Sequence, residues 1–412
     1  MKILIVNKFL FPKGGDAIAA INTGKLLEEN GHKAIFWGMK HPDNGFFEFS
    51  RYFVDQADYH LASSLRERLR LSLNLLYSLE ARNKFENLLK VTKPDCVHLH
   101  NFSHQISPSI LHACYKFNLP VVMTMHDYKL VCASYLLICR NKPCALCRNG
   151  RYYHCFLTGC VKKSRTMSLL NTLEMYMHHK LMRIYSGINI FISPSNFLKN
   201  KLEGMGFKGK ITVLPNFTDL TGIKPQFSHT ENSIVYFGRL AEEKGILTLL
   251  AAMKVFPRIT LKIIGEGPAR KRLEESASQL QLRNVRFLGF RKKEDLNNEI
   301  AKSLFAVAPS EWYENNPLSV IEAFSLGKPV IASRIGGLPE LVIEEKTGFT
   351  FKPGDTEDLK EKIFCLLKSS RKIEQFGRAA RSMIESNFTP QAHYRGLMEI
   401  YASACKRRSK EG

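Results

Sequence analysis

Carboxylates are scarce in this chain. Its 412 residues hold 38 Asp and Glu against 60 Lys and Arg, for a formal net charge of +22. The shortage is sharpest in residues 101–200, which carry 2 acids against 12 bases. Such an excess favours anionic partners such as phosphates, anionic lipid or nucleic acid, with general solubility as the plain alternative. Long apolar runs are missing too. None reaches the roughly 18–20 residues of a membrane span, which excludes a helical transmembrane protein. The opening "KILIVN" reads as a strand and not as a secretory leader, so a cytoplasmic protein, soluble or peripheral, is expected. Without a leader, the ten cysteines do not read as a disulfide framework.

What is present is an alternation of short apolar strands and helical segments. "KILIVN" runs into "FLFPKGGDAIAAINTGKLLEENGH", where Gly14–Gly15 opens a helix that stops at Asn30–Gly31. "KAIFWGM", "CVHLHN", "VVMTMHD" and "INIFISPS" follow as strands, and Leu65, Leu69, Leu73 and Leu76 stand at helical spacing. A second series begins near Lys210 with "ITVLPN", "SIVYFG", "TLKIIG", "VRFLGF", "SLFAVAPS" and "KPVIAS". Strands of this kind imply parallel sheets covered on both faces. Two series imply two doubly wound domains, each binding ligand beyond its strand C-termini. The expected division is 1–205, 206–385, and a C-terminal helix and basic tail over 386–412.

Chemistry-bearing residues sit at the ends of these strands. In "FGRLAEEKG" (237–245), Gly238 ends a strand, and Arg239 and Lys244 lie on the loop before a helix. Two cations beside a helix start suit a diphosphate, although solvated loops carry such pairs as well. "FLGF" places Gly289 and Phe290 at another strand end, where backbone can approach a ligand. In "EWYENNPLSVIE" (311–322), Glu314 lies in a loop, Pro317 fits the first helical position, and Glu322 follows about one turn in. Two carboxylates there can accept from hydroxyls of a sugar and a ribose. The alternative is a carboxylate at a helix start plus a solvated Glu.

Six cysteines fall between Cys132 and Cys160, in an insert spanning 132–160. Cys144 and Cys147 form a C-x2-C pair, with Cys155 and Cys160 after it. This set fits a small structural zinc site. Free thiols in a loop, or disulfides, are the alternatives. Cys132, Cys139 and His154 are spare ligands.

The order "GRLAEEKG", "GEGP", "FLGF", "PSEWYENNPLSVIEAFSLGKPVIAS", "GGLPELV", "TGFTF" resembles the retaining glycosyltransferases of family 4, of the GT-B type. The resemblance covers essentially the whole chain and is strongest over 235–350. It implies an α/β fold of two Rossmann-like domains facing a central cleft, the second binding a nucleotide-sugar. By resemblance Arg239 and Lys244 hold the diphosphate, Glu322 the ribose, and Glu314 the donor sugar. Gly238, Gly289 and Phe290 match places where backbone meets the nucleotide, and Asn315, Asn316 and Leu318 fall on the donor-sugar segment. Gly14 and Gly15 match an N-terminal loop facing phosphates and acceptor, and His126 in "MHDY" matches a histidine near the transferred sugar. One departure is clear. Many members read E-G-F-G-L where this chain has Glu314-Asn315-Asn316-Pro317-Leu318, and Pro317 has no N–H to offer. UDP- and GDP-sugars both fit.

No DxD-like pair stands where a catalytic divalent ion would be held, so metal-independent chemistry is expected. The expected acceptor is a lipid-linked saccharide of a surface polysaccharide, met at the cytoplasmic face of an anionic membrane. A soluble transferase with a small acceptor is the alternative. A zinc-containing nucleic-acid binder is more distant, since only "RNGRYYHCF" mixes bases with aromatics. No nucleic-acid partner is therefore expected, and the oligomeric state is left open.

Overall fold

The computed structural model describes residues 1–56, 72–103, 106–140 and 142–411. Leu65, Leu69 and His104 lie outside them. Two compact units result: Met1–Leu214 with Tyr394–Gly412, and Pro215–His393. The first division falls after Leu214 rather than at 205, because the strand Ile211–Val213 completes the first sheet. The chain rejoins the first unit at Tyr394 rather than at 386.

In the first unit, six parallel strands are β1 (Lys2–Val6), β2 (Lys33–Trp37), β3 (Cys96–Leu99), β4 (Val121–Thr124), β7 (Ile190–Ser193) and β8 (Ile211–Val213). Their order is β2-β1-β3-β4-β7-β8. A small antiparallel hairpin, β5 (Ile138–Cys139) and β6 (Lys142–Pro143), lies in the insert. The central strands are short and apolar because both faces are covered. Ile3, Ile5, Val122, Ile190 and Ile192 pack with Leu397, Ile400, Tyr401 and Ala404 of the C-terminal helix Pro390–Glu411. That helix segment is thus part of the first core, and its buried residues recur at helical spacing.

In the second unit, β9 (Ser233–Phe237), β10 (Thr260–Ile264), β11 (Val285–Gly289), β12 (Phe305–Ala308), β13 (Val330–Ser333) and β14 (Gly348–Phe351) pair in the order β11-β10-β9-β12-β13-β14. All five pairings are parallel. Two apolar clusters cover the two faces. The strand order reverses between β9 and β12, and in the first unit between β1 and β3. At such switch points the following loops diverge and leave a crevice at the strand C-termini. The loops of interest follow those four strands and β4.

Candidate active site

In the second unit, the loops after β9 and β12 are bolted together. Gly245 takes a left-handed backbone (φ 66°), and a Cβ there would lie 1.9 Å from the Pro309 carbonyl oxygen. Only glycine lets the two loops approach so closely. Across this contact the Glu311 N–H donates to the Glu243 carbonyl (2.9 Å), and Thr248 Oγ1 donates to Glu311 Oε1 (2.7 Å). Lys244 closes the 3-10 turn Glu242–Lys244, ahead of the helix Ile246–Met253.

That turn aims Lys244 at Glu314. Lys244 Nζ lies 2.5 Å from Glu314 Oε1, which also accepts from Ser310 Oγ at 2.6 Å. The Lys244 ammonium stands 5.4 Å from the centre of the Trp312 ring. From the far side, the Gly337 N–H donates to the Glu314 carbonyl (2.6 Å). Gly336 is again left-handed (φ 65°), and a Cβ there would fall 2.3 Å from the same oxygen. Burial works to raise the Glu314 carboxyl, but Lys244 and Ser310 outweigh it and hold it below its ordinary value. Glu314 is therefore a buried anion with a fixed cation.

Glu322 is the opposite case. It sits on the helix Leu318–Ser325, and burial pushes its carboxyl up to about 7, with Lys293 only partly offsetting. A carboxyl balanced near neutrality gains strongly from hydroxyl donors. Pro317 proves to be the N-cap residue (φ −68°, ψ 122°), one place earlier than expected, so Leu318 opens the helix. Asn315 and Asn316 are buried. Asn316 Oδ1 accepts from the Asn216 N–H (3.0 Å) and its carbonyl from Asn216 Nδ2 (2.9 Å), so this amide oxygen is engaged by the second unit's own chain.

Arg239 and Gly238 are exposed at the mouth of the same switch point. β9, β10 and β11 each end on a positive-φ glycine: Gly238 (141°), Gly265 (137°) and Gly289 (67°). A Cβ on Gly265 would lie 1.9 Å from the Gly238 oxygen. The rim is thus bare backbone, with Phe290 beside it 70% exposed. A rim of backbone, an exposed guanidinium and a helix start suit a nucleoside diphosphate. Ser310 and the Gly336–Gly337 pair were not assigned roles from sequence. The "GGLP" following a strand was the available signal.

The first unit offers a different set. His126, after β4, places Nε2 3.0 Å from Nδ1 of His100, which follows β3, and the rings stack at 5.2 Å. Behind them His98 is held by Tyr401 and Thr124, each at 2.7 Å. Burial lowers the His126 pKa, with Asp16 opposing and Lys8 assisting, so the ring is neutral at pH 7. Burial raises the neighbouring Asp127 carboxyl, which accepts from the Lys129 N–H at 2.8 Å. Gly14 is extended and precedes the helix Gly15–Glu29, and a Cβ on Gly15 would meet nothing within 4 Å. A Cβ on Gly14 would instead come within 3.2 Å of Asp16 Oδ1, so the open space is at Gly15.

The four-thiol zinc set of Cys144, Cys147, Cys155 and Cys160 is not assembled. These four, with Cys132 and His154, surround one cavity of about 10 Å³. Yet among the described residues no group of three or more His, Cys, Asp or Glu side chains is placed to share a metal ion. Cys160 turns instead to Cys155, Sγ to Sγ 3.1 Å, and burial pushes the Cys147 thiol up to about 12.

Comparison with known proteins agrees with this geometry. The family described as "Glycosyltransferase Family 4" matches residues 13–221, and "Glycosyl transferases group 1" matches 222–383. The sulfoquinovosyl transferase SQD2 of Arabidopsis thaliana is 36% identical over 155 residues, 37% of this chain and 30% of that protein. An uncharacterized 42.6 kDa protein in the cps region of Klebsiella pneumoniae is 26% identical over 83% of this chain and 87% of its own length. The structure of Anabaena Alr3699/HepE in complex with UDP and glucose superposes with a TM-score of 0.66 at 18% identity, covering 98% of this chain and 100% of that one. Two Rossmann-like units in one chain constitute the GT-B fold, and this chain belongs to glycosyltransferase family 4.

Proposed function

We propose that the chain is a retaining glycosyltransferase. It moves a sugar from a UDP- or GDP-sugar to a lipid-linked saccharide during synthesis of a surface polysaccharide, at the cytoplasmic face of a membrane. The observation that carries the reading is the Lys244–Glu314 pair beside exposed Arg239 at the β9/β12 switch point. The cps-region relative and the UDP-and-glucose complex of the structural relative support it.

In this reading Glu322 accepts from the ribose hydroxyls, and Glu314 from the donor sugar. Arg239, Lys244 and the start of helix Ile246–Met253 take up negative charge as the sugar–phosphate bond breaks. Lys244 need not be unpaired beforehand, since an incoming diphosphate competes with Glu314 for the same ammonium. His126, neutral at pH 7, donates or accepts a hydrogen bond at the transferred sugar, with His100 fixing its orientation. The leaving phosphate assists removal of the acceptor proton on the same face.

The test is sugar transfer from a panel of UDP- and GDP-sugars to membrane-extracted lipid acceptors, with and without EDTA. Transfer from one donor that survives EDTA is expected. Absence of transfer and of binding by every nucleoside diphosphate overturns the reading, and immediate magnesium-reversible loss overturns its metal-independent part.

A further inference from the structure

Between Tyr128 and Leu202 the chain carries twelve Lys and Arg and a single acid, Glu174. That acid does not offset the surface charge. Glu174 is buried, and its Oε2 lies 2.7 Å from Nζ of Lys129, itself buried. Nine of the other cations, from Arg140 to Arg183, are exposed.

The same stretch exposes an uncommon amount of apolar surface. The helix Tyr153–Thr158 presents Tyr153, Phe156 and Leu157, spaced to share one side. The helix Arg165–Tyr176 presents Leu169 and Leu173, one turn apart, and Leu181 just beyond it is 81% exposed. Cations bracket this strip at both ends. Exposed Lys162 and Lys163, both left-handed (φ 50° and 55°), form the turn before the second helix, and exposed Lys180 and Arg183 follow its end.

Beyond the strip a cavity of about 840 Å³ opens at the N-terminal ends of β7 and β8, with Leu130 and Val131 of the chain after β4 on its wall. Lys180, Arg183, Lys208 and Lys210 line it, with Tyr152 and Phe207 among its aromatic walls and no Asp or Glu. None of the four has an ion-pair partner among the described residues. The insert helps build the wall, since the Asn149 N–H donates to the Met205 carbonyl at 2.8 Å. A π-helical turn, Met177–Leu181, joins strip to cavity and carries both Leu181 and Lys180.

We propose that this face is a second binding site, for phosphate headgroups of an anionic bilayer. The cavity seats a headgroup phosphate, and the Tyr153–Leu157 and Leu169–Leu173 surfaces sink into the adjoining acyl boundary. Unpaired cations around a concave, acid-free space select for phosphate, and apolar side chains between flanking lysines match the layering of a membrane interface. A soluble polyanion would use the cations and leave the apolar strip in water. The proposal deepens the membrane part of the proposed function and rests on it.

Sedimentation of the full chain with phosphatidylcholine vesicles, with and without phosphatidylglycerol, tests it. Binding is expected only to the anionic vesicles, falling as salt rises. Lys180→Ser/Arg183→Ser should lower partition roughly 25-fold, at about fivefold per cation near the surface. Leu169→Asp/Leu173→Asp should lower it as well, with the melting temperature and its nucleotide response unchanged. Should either variant fold poorly, Lys208→Ser/Lys210→Ser and Leu157→Ser replace it. Equal binding to neutral and anionic vesicles, or wild-type binding by the folded variants, overturns the proposal. So does protection of Lys180 from acylation by inorganic phosphate in a protein that ignores vesicles, which would assign the cavity to a soluble anion. Sedimentation needs no turnover. Loss of sugar transfer with intact vesicle binding, or the reverse, separates failure of the catalytic reading from failure of this one.

Discussion

Both sheets place polar side chains at their strand C-termini near a switch point, yet the side chains differ in kind. The second unit sets an ion pair, Lys244–Glu314, and three positive-φ glycines around a bare backbone rim. The first sets stacked imidazoles, His100 on His126, and Gly15, which leaves open room. The contrast teaches that a common topology does not dictate the chemistry at its mouth. Charge and backbone closeness suit a ligand that carries fixed phosphates. Hydrogen-bonding rings suit one that presents hydroxyls.

The largest expected effect comes from stripping the ion pair. Lys244→Ala leaves Glu314 buried beside Ser310 without its cation, a loss of about 3–5 kcal/mol for a fully buried pair. Lys244 is 22% exposed, so about 2–3 kcal/mol is expected in urea melts, with a larger loss in turnover. Unchanged stability would put the pair on a par with surface contacts, and the electrostatic side of the contrast would vanish.

Glycines test the same contrast. Gly265→Ala forces a Cβ toward the Gly238 oxygen at a φ of 137° and should cost about 2–4 kcal/mol. Gly15→Ala, with open space and an ordinary helical position, should change stability by less than about 1 kcal/mol and can even stabilise. Equal costs would erase the distinction between rim and space.

Glu322 sharpens it through pH. Its folded pKa, about 7, stands above the ordinary carboxyl value, so the native state holds a proton that the unfolded chain releases. The associated stability is present below the ordinary pKa and is lost as pH rises through 7. Glu322→Gln should therefore gain about 1–3 kcal/mol relative to wild type between pH 5 and pH 8, while losing nucleotide affinity. A pH-independent difference would place Glu322 in solvent.

The smallest effect on nucleotide binding belongs to His126→Ala, a half-buried residue of the first unit. Turnover should fall while donor-nucleotide affinity stays within about threefold, the spread typical of surface substitutions. Loss of nucleotide binding would move the nucleotide toward the first unit.

Much of the fold was legible because short apolar strands alternate with helices, and parallel sheets need nothing more elaborate. Arg239, Lys244, Glu314 and Glu322 stood out one by one at strand ends and helix starts, and only the resemblance to family 4 joined them as a set. The pairing of Lys244 with Glu314 was not legible. The two are seventy residues apart, and the contact depends on Gly245 and Pro309 meeting across loops. The cysteines were legible as a cluster but not as ligands: they surround one cavity, yet no three His, Cys, Asp or Glu side chains among the described residues are placed to share a metal ion. Likewise the Asn216 N–H contact that engages the Asn316 side-chain oxygen, a hundred residues away in sequence, was not legible.

The central claim is that the second unit holds the nucleotide and the first does not. Thermal melting with UDP and GDP, compared across wild type, Lys244→Ala, Glu322→Ala and His126→Ala, tests it most directly. The account predicts that one nucleotide raises the wild-type and His126→Ala melting temperatures alike and does little for the other two. A shift retained in Lys244→Ala and Glu322→Ala, or lost in His126→Ala, would contradict it.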